Sequence, residues 1–82
     1  GDVPAAPKRA PVEEVEALFV HMRKSLLDIE FLDPANPDHI MRGLRRIFGR
    51  SGLSSRDIRI LRGLFSRIDW VEAERRRLAD TD

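Results

Sequence analysis

Apolar side chains recur along this chain at the three- and four-residue spacing of an α-helix, in three segments separated by prolines and glycines. The first segment runs from Val12 to Glu30, the second from Pro37 to about Phe48, and the third from Ser54 to about Ala79. In each segment the apolar residues cluster on one arc of a helical wheel, as in amphipathic helices. The pattern predicts an all-α fold, a small three-helix domain with a short middle helix and a long C-terminal helix.

Residues that start or stop helices stand at the ends of these segments. The FLDPANP sequence after Glu30 contains two prolines, which remove backbone donors and end the first helix. Asn36 is followed by a proline, a pair that favours an N-cap and a first helical position. Gly49 is expected to adopt the left-handed conformation that commonly ends a helix. Ser54 and Asp57 have the spacing of a capping box at the start of the third helix.

The apolar arcs also predict which side chains form the core. We expect the short middle helix to bridge the two longer helices, so that the three apolar arcs face one another. The predicted core comprises Val15, Leu18, Phe19, Met22, Leu26, Ile40, Leu44, Ile47, Phe48, Ile58, Leu61, Leu64, Phe65 and Ile68.

The beginning of the chain differs in composition from the rest. Residues 1–11, GDVPAAPKRAP, contain three prolines and no apolar periodicity, which predicts a poorly ordered Pro/Ala-rich linker. Residues 12–82 then form the C-terminal helical domain. A chain of 82 residues has room for one small domain, and a leader of this kind is typical of a domain that belongs to a longer protein.

The composition excludes several classes of protein. The chain has no cysteine, which excludes a disulfide framework and thiolate metal sites. Its apolar runs are far shorter than the ~20 residues that span a bilayer, so we expect no membrane segment. Both observations favour a cytoplasmic protein.

The net charge of +1 conceals an uneven distribution of charged residues. Thirteen of the 15 cationic residues are arginines, and between His39 and Ile68 eight arginines stand against a single acid. Arginine suits phosphate because its planar group binds it bidentately, so this bias favours a nucleic-acid partner. Acidic protein partners and a plain solvated surface are the open alternatives. The candidate RNA contacts are Arg42, Arg45, Arg46 and Arg50, all expected to face solvent, together with Arg59, Arg62 and Arg67 of the third helix.

Residue types that carry catalysis or bind metals are few and scattered. His21 and His39 are the two histidines, and both are expected on the surface because neither has the neighbouring ligands of a metal site. No serine lies in a nucleophile-elbow sequence, and no glycine-rich phosphate loop is present. We therefore expect the chain to catalyse no reaction alone and to hold no metal or cofactor.

A second set of apolar residues lies outside the predicted core. Val20 and Leu27 share an outward arc of the first helix, while Val71 and Leu78 continue the third helix beyond the reach of the short one. Unpartnered apolar strips commonly mark interfaces, which predicts a homodimer. Its candidate contacts are Val20, Leu27, Trp70, Val71 and Leu78. The alternatives are a frayed helix end beyond Trp70 and a base-stacking role for Trp70 itself.

Three segments, taken in order, resemble one known family. They are residues 31–37 (FLDPANP), residues 41–50 (MRGLRRIFGR) and residues 60–65 (ILRGLF). Through them, residues 12–69 resemble the C-terminal helical extension of the TrmJ-type tRNA/rRNA methyltransferases, in the SpoU branch of the knotted SPOUT superfamily.

The resemblance implies a function for a longer protein. In that family a separate N-terminal knotted domain, absent from these residues, binds S-adenosylmethionine and transfers its methyl group to a ribose 2′-hydroxyl of tRNA. The helical extension helps to hold tRNA and supports the dimer. The resemblance therefore implies an auxiliary tRNA-binding domain of a tRNA (ribose 2′-O) methyltransferase. The alternative is a helical protein-interaction or dimerisation module without RNA binding.

Overall fold

Three α-helices make up the fold in the computed structural model, which describes residues 8–50 and 52–81. They are α1 (Val12–Asp28), α2 (Pro37–Gly49) and α3 (Ser55–Ala79). Over these described ranges the chain forms no β-strand, and its one strand-like contact is an isolated antiparallel bridge between Arg9 and Ser54. The expected all-α fold, with a short middle helix and a long C-terminal helix, is confirmed.

Helices α1 and α3 pack side by side and run in the same direction. Near their starts, the Ser55 hydroxyl donates a hydrogen bond to Glu14 at 3.4 Å. Near their ends, the Arg76 guanidinium donates to the backbone carbonyl of Asp28 at 3.3 Å. Because contacts early in α1 meet contacts early in α3 and late ones meet late ones, the pair is parallel along the full length of α1.

Helix α2 runs antiparallel to α1, and its backbone approaches that helix rather than α3. Asp38, at the start of α2, pairs with Arg23 in the second half of α1, and Arg45, near the end of α2, pairs with Glu16 in the first half. Among the described residues, no Cα of α2 lies within 8 Å of one in α3. The expectation that α2 bridges α1 and α3 is therefore wrong. The two longer helices already bury each other, which leaves α2 to cover one flank of α1.

This arrangement selects which apolar residues are buried. The core consists of Leu18, Phe19, Met22, Leu32, Met41, Ile58 and Phe65. The expected core positions Ile40, Ile47 and Leu64 are instead exposed, with 63% of Ile47 accessible to solvent. On α2 the residue that faces α1 is Met41. Because this side of the helix is turned towards α1, Ile40 and Ile47 lie at the exposed edge of the contact. Leu32 was not expected in the core because it lies in the loop after α1, outside any helical period.

The ends of α2 and α3 are determined by different residues. The capping box of α3 is confirmed: the Asp57 amide donates to the Ser54 hydroxyl at 3.1 Å, and the Ser54 amide donates to the Asp57 carboxylate at 3.0 Å. Pro37 is the first residue of α2, as expected, but Asn36 makes no side-chain cap bond. The Asp33 carboxylate organises this turn instead, accepting from the Ala35 amide at 2.9 Å.

Left-handed backbone occurs at two positions that the sequence did not indicate. Helix α1 ends at Asp28, and Glu30, with φ of 64°, closes it through hydrogen bonds from the Glu30 amide to Leu27 O and from the Phe31 amide to Leu26 O. This is the Schellman pattern with a residue other than glycine at its left-handed position. Gly49, expected to be left-handed, is helical, and Gly52 takes the positive φ of 76° in its place.

The end of the expected linker belongs to the folded domain. The Ala10 amide donates to the Leu53 carbonyl at 2.7 Å, and Ala10 packs against the core. A Cβ at Gly52 would lie 2.6 Å from the side chain of Arg9, so the loop before α3 and the segment before α1 fit closely together. Poor order was expected throughout residues 1–11; residues 8–11 are placed, and residues 1–7 lie outside the described residues.

The two glycines should respond oppositely to alanine. Gly49→Ala should raise the free energy of unfolding by about 0.5 kcal/mol. A Cβ at this helical position would meet no atom within 4 Å, and glycine loses more backbone entropy on folding than alanine does. Gly52→Ala should lower it by about 1 kcal/mol or more, because its φ is positive and Arg9 must move. Urea unfolding of both variants measures the difference. Equal effects of one sign would contradict this assignment of the helix end.

Candidate nucleic-acid interface

The outward face of α2 carries arginines that the fold does not use. Arg42, Arg46 and Arg50 are all exposed, and on the helical wheel they lie away from the buried Met41. Within residues 8–50 and 52–81, none of these three forms an ion pair. Their guanidinium groups are therefore available to an anionic partner.

Arg45 differs from its neighbours on α2. Its guanidinium donates two hydrogen bonds to the Glu16 carboxylate, at 3.0 and 3.1 Å, and lies 4.5 Å from the centre of the Phe19 ring. These hydrogen bonds and the charge of Arg45 lower the pKa of Glu16. Arg45 was expected to face solvent, and it is exposed, but the rotation of α2 that buries Met41 also brings its guanidinium against α1. It joins the two helices.

A shallow depression of about 470 Å³ follows the exposed side of α2. Arg42 and Arg46 supply its cationic part, and Ile40 and Ile47 supply its apolar part beside the small Gly43. All of its lining comes from this one helix. The depression is thus a furrow in a surface and does not enclose a small molecule.

On α3 the arginines again divide into two kinds. Arg62 donates to the Ala17 carbonyl of α1 at 2.9 Å and so links the parallel helices. Arg59 and Arg67 are exposed and, among the described residues, pair with no acid. Because no Cα of α2 lies within 8 Å of one in α3 among the described residues, the candidate RNA contacts form two basic faces, one on each helix.

Trp70 lies on the outward side of α3, with 57% of its surface exposed. The Arg67 guanidinium is 5.3 Å from the centre of its ring. Together with Gly63 and Ser66 these residues line a depression of about 350 Å³. The ring takes no part in the core, and its surroundings are polar and cationic.

The remaining candidate dimer contacts differ in their exposure. Val71 and Leu78 are exposed and extend an aliphatic strip with Ile60 and Leu64 along one side of α3. Val20 is exposed on α1, whereas Leu27, expected on an outward arc, is partly buried against the core. Helix α3 is continuous to Ala79, so the alternative of a frayed end beyond Trp70 does not apply.

A hydrogen-bonded cluster of three polar side chains lies between α1 and α3. Asp69 accepts from the Ser25 hydroxyl at 2.6 Å and is joined to His21 Nε2 at 2.8 Å. Although burial alone would raise the pKa of Asp69, the hydrogen bonds from Ser25 and His21 lower it. His21 was expected on the surface but is half-buried here, while His39 is exposed.

This cluster has the residue types of a catalytic triad without its order. In a triad the histidine lies between the serine and the aspartate and takes the proton of the hydroxyl. Here Asp69 lies between the other two, so the hydroxyl of Ser25 donates to a carboxylate and is not activated as a nucleophile. Ser25 is fully buried as well. The cluster therefore joins the helices and forms no catalytic site.

Comparison with known proteins gives the family of the chain. Residues 13–80 match the family model described as tRNA methyltransferase TrmJ, C-terminal domain. The chain belongs to this family. The resemblance carried by the three segments of the sequence is thus confirmed.

Several curated relatives share this TrmJ C-terminal domain. The chain is 44% identical over 59 residues, 72% of its own length, to the tRNA (cytidine/uridine/adenosine-2′-O-)-methyltransferase TrmJ of Pseudomonas aeruginosa. It is 34% identical over 64 residues, 78% of its length, to the tRNA (cytidine/uridine-2′-O-)-methyltransferase TrmJ of Cronobacter sakazakii, and 33% identical over 63 residues, 77% of its length, to that of Pectobacterium atrosepticum.

These matches cover a minor part of each relative. The chain spans 23% of the Pseudomonas aeruginosa protein and 26% of the other two. No solved structure matches the chain significantly. In the described part of this TrmJ C-terminal domain, no group of three or more histidine, cysteine, aspartate or glutamate side chains is placed to hold a metal ion. No described helix has both the length and the apolar character needed to cross a membrane.

A second ionic cluster anchors the far end of the TrmJ C-terminal domain. Glu72 accepts hydrogen bonds from Arg75 at 2.7 and 3.0 Å and from Arg76 at 3.0 Å, and Arg76 also reaches the carbonyl of Asp28 at the end of α1. Glu72 points towards α1 and is 9% exposed. Sequence reasoning missed this cluster, although the three- and four-residue spacing from Glu72 to the two arginines was visible.

The Glu72 cluster predicts a loss of stability in acid. The hydrogen bonds from Arg75 lower the pKa of Glu72 to about 2 from an ordinary 4.5, against the opposing effect of burial and with further help from Arg76. The unfolded chain therefore takes up this proton first, and the stabilisation present above about pH 4.5 is lost as the pH falls towards 2. Glu72→Gln should lower the urea midpoint at neutral pH but reduce its fall between neutral pH and about pH 3.

Glu13→Gln is the matched control, because it removes an exposed carboxylate that makes no ion pair with a described residue. It should lower both midpoints slightly, because a carboxylate in the first turn of α1 interacts favourably with the helix dipole, and it should leave their difference close to that of the wild type. If Glu72→Gln and the wild type lost the same stability in acid, the cluster would not be the source of the pH dependence.

Proposed function

We propose that this domain helps a tRNA (ribose 2′-O) methyltransferase to hold its tRNA and supports the assembly of that enzyme. The family and the names of the relatives support the link to tRNA methylation. The observation that carries the proposal is the outward face of α2, where Arg42, Arg46 and Arg50 have no acidic partner among the described residues. We expect the enzyme to act in the cytoplasm.

The proposed contacts are to the phosphate backbone. An arginine fork matches two phosphate oxygens, and such contacts position an RNA without reading its sequence. On this basis we assign backbone contacts to Arg42 and Arg46 of α2, to Arg50 at its C-cap, and to Arg59 and Arg67 of α3. Arg45 and Arg62 were candidates from the sequence, but their bonds to Glu16 and to the Ala17 carbonyl favour a structural role.

Methyl transfer itself is assigned to the part of the enzyme outside this chain. S-adenosylmethionine carries a positively charged sulfonium and a positively charged ammonium group, and neighbouring arginines repel both. The depression on α2 is lined by Arg42 and Arg46, and the one beside Trp70 is lined by Arg67. These cationic surfaces do not fit the cofactor, so the residues of this domain bind RNA in the proposal and perform no step of the reaction.

Replacing Arg42 and Arg46 on α2 should affect tRNA binding differently from replacing Arg45, which lies between them in the sequence. In the enzyme that carries this domain, Arg42→Ala with Arg46→Ala should weaken tRNA binding and flatten the plot of log affinity against log salt by about 1.5 units, because two phosphate contacts are lost. Arg45→Ala should leave that slope unchanged and lower the thermal midpoint, because it removes the link to Glu16. Filter binding over a series of salt concentrations measures the slope.

Both variants carry alanine on the same helix, so the comparison separates RNA contact from helix propensity. Circular dichroism establishes that each remains helical. A salt slope that stays at the wild-type value in the double variant would remove the α2 face from tRNA binding.

A second role, in self-association, is favoured by the aliphatic strip on α3. Leu64, Val71 and Leu78 are spaced by seven residues, all three are exposed, and Ile60 lies on the same side one turn earlier. A strip at this spacing suits a helix–helix interface. We infer that this strip, rather than the dispersed set with Val20 and Leu27, is the contact that supports a dimer, and that RNA binding and self-association use different sides of α3.

Charge on the strip should therefore prevent the dimer. Val71→Glu should give a monomer in sedimentation equilibrium at tens of micromolar, while the wild type sediments as a dimer, because a carboxylate in an apolar interface lacks a partner. Val20→Glu is the control: the same change at an exposed valine on α1 should leave the dimer intact. A monomeric wild type at this concentration would exclude a dimer role for the strip.

A further inference from the structure

Trp70 is the only tryptophan of the chain, and the fold leaves it without a structural task. More than half of its surface is exposed, and the core is complete without it. It also lies apart from the aliphatic strip of α3. Successive helical residues are turned by about 100°, so Trp70 and Val71 project on different sides of the helix. A partner that covers the strip does not thereby cover this ring.

The surroundings of the ring suit a flat ligand. A helical side chain leans towards the N-terminus, so the ring lies over the turn that contains Ser66 and Arg67. One turn further, Gly63 has nothing within 4 Å of where its Cβ would be. The depression bounded by these residues, about 350 Å³, exceeds the volume of one nucleobase. With Arg67 placed over the ring, the rest of the aromatic surface is left for a second flat group.

The charge around the ring suits phosphate. The described acids of α3 are all hydrogen-bonded within the fold: Asp57 to Ser54, Asp69 to Ser25 and His21, Glu72 to Arg75 and Arg76, and Glu74 to Arg77. Arg59 and Arg67, on the same outward side as Trp70, have no such partner among the described residues. The ring therefore stands beside uncompensated positive charge, which a polyanion would neutralise.

We propose that Trp70, with Gly63, Ser66 and Arg67, is a stacking site for an unpaired base of RNA. Arg67 contacts the phosphate of the stacked nucleotide, and Arg59, about 16 Å nearer the N-terminus of α3, contacts a phosphate further along the strand. This stacking site depends on the proposed function in one respect, that RNA is the partner. A base within a duplex has its faces covered by its neighbours, so this site distinguishes single-stranded segments from helical ones. Stacking on an aromatic ring tolerates every base, and the site selects an unpaired nucleotide without reading its identity.

The proposal is tested with the 82-residue chain, a short oligoadenylate and an RNA duplex of equal length. Because Trp70 is the only tryptophan, its fluorescence reports the site directly. Saturable quenching by the oligoadenylate, with little change on adding the duplex or inorganic polyphosphate, is the expected result. Unquenched emission at oligoadenylate concentrations that saturate binding by anisotropy would overturn the proposal.

Substitutions give an independent measurement by anisotropy of the labelled RNA. Trp70→Leu keeps an apolar side chain without an aromatic face and should weaken oligoadenylate binding on the order of 10-fold, with the duplex affected much less. Trp70→Phe should restore most of the affinity. Gly63→Leu adds a side chain where the structure has space and should weaken oligoadenylate binding by filling the depression, while circular dichroism stays unchanged.

The outcomes separate this site from the proposed function. If Trp70→Leu bound oligoadenylate as the wild type does, while Arg42→Ala with Arg46→Ala still weakened tRNA binding, the stacking site would be wrong and the basic face would stand. If Trp70→Leu left RNA affinity unchanged and instead dissociated a dimer, the ring would be a subunit contact, which also overturns the proposal. If neither the Trp70 variant nor the Arg42 and Arg46 double variant lost RNA binding, both the stacking site and the proposed function would be contradicted.

Discussion

The parallel contact between α1 and α3 determines the position of every other element of this domain. Four polar links lie along it: Ser55 to Glu14, Arg62 to the Ala17 carbonyl, Asp69 to His21 and Ser25, and Arg76 to the Asp28 carbonyl. Between them, Leu18, Met22, Ile58 and Phe65 fill the apolar part of the contact. Because polar links occur at the start, middle and end of the contact, a shift of one helix along the other would break several of them at once.

A parallel pair of helices needs a return connection, and α2 supplies it. Helix α2 has 13 residues and α1 has 17, which at 1.5 Å per residue is about 20 Å against about 26 Å. The loops at either end of α2 make up the difference. The Arg23–Asp38 and Arg45–Glu16 pairs hold the connection antiparallel against the flank of α1 that α3 leaves open. The outer sides of α2 and α3 then point away from the core, and the unpaired arginines lie there.

Local signals in the sequence predicted the three helices, but they did not predict how the helices are oriented against one another. The prolines after α1 and the Ser54–Asp57 box act within a few residues, so the sequence alone located three helices to within two residues. The apolar arc of α2 is wider than the flank of α1 that it covers. Whether Ile47 or Met41 is buried therefore depends on how α2 is rotated against α1, which no periodicity within α2 contains. Leu32 and Glu72 are buried for the same nonlocal reason.

The candidate RNA-binding site was also only partly predictable from the sequence, because some arginines pair within the fold and others remain unpaired on its surface. Thirteen arginines look equivalent in the sequence, and their bias over lysine indicated a phosphate-binding surface. Arg45 is held by Glu16 and Arg62 by a carbonyl, which only the packed helices reveal. Arg75 and Arg76 are held by Glu72 of their own helix, at a spacing that the sequence does show. These pairs also consume acids, so the net charge of +1 understates the field at the outer sides of α2 and α3.

The paired and unpaired arginines are distributed unevenly along α3. Towards its C-terminus the three arginines at 75, 76 and 77 are paired with two acids, Glu72 and Glu74, which offset most of their charge. Towards its N-terminus Arg59 and Arg67 remain uncompensated by any described acid, and Trp70 stands at the boundary between the two halves. A nucleic-acid strand that stacked a base on Trp70 would gain more electrostatic energy by running towards the N-terminal half of the helix than towards the C-terminal half. The same ion pairs that anchor the end of α3 to α1 would thus also orient a bound strand.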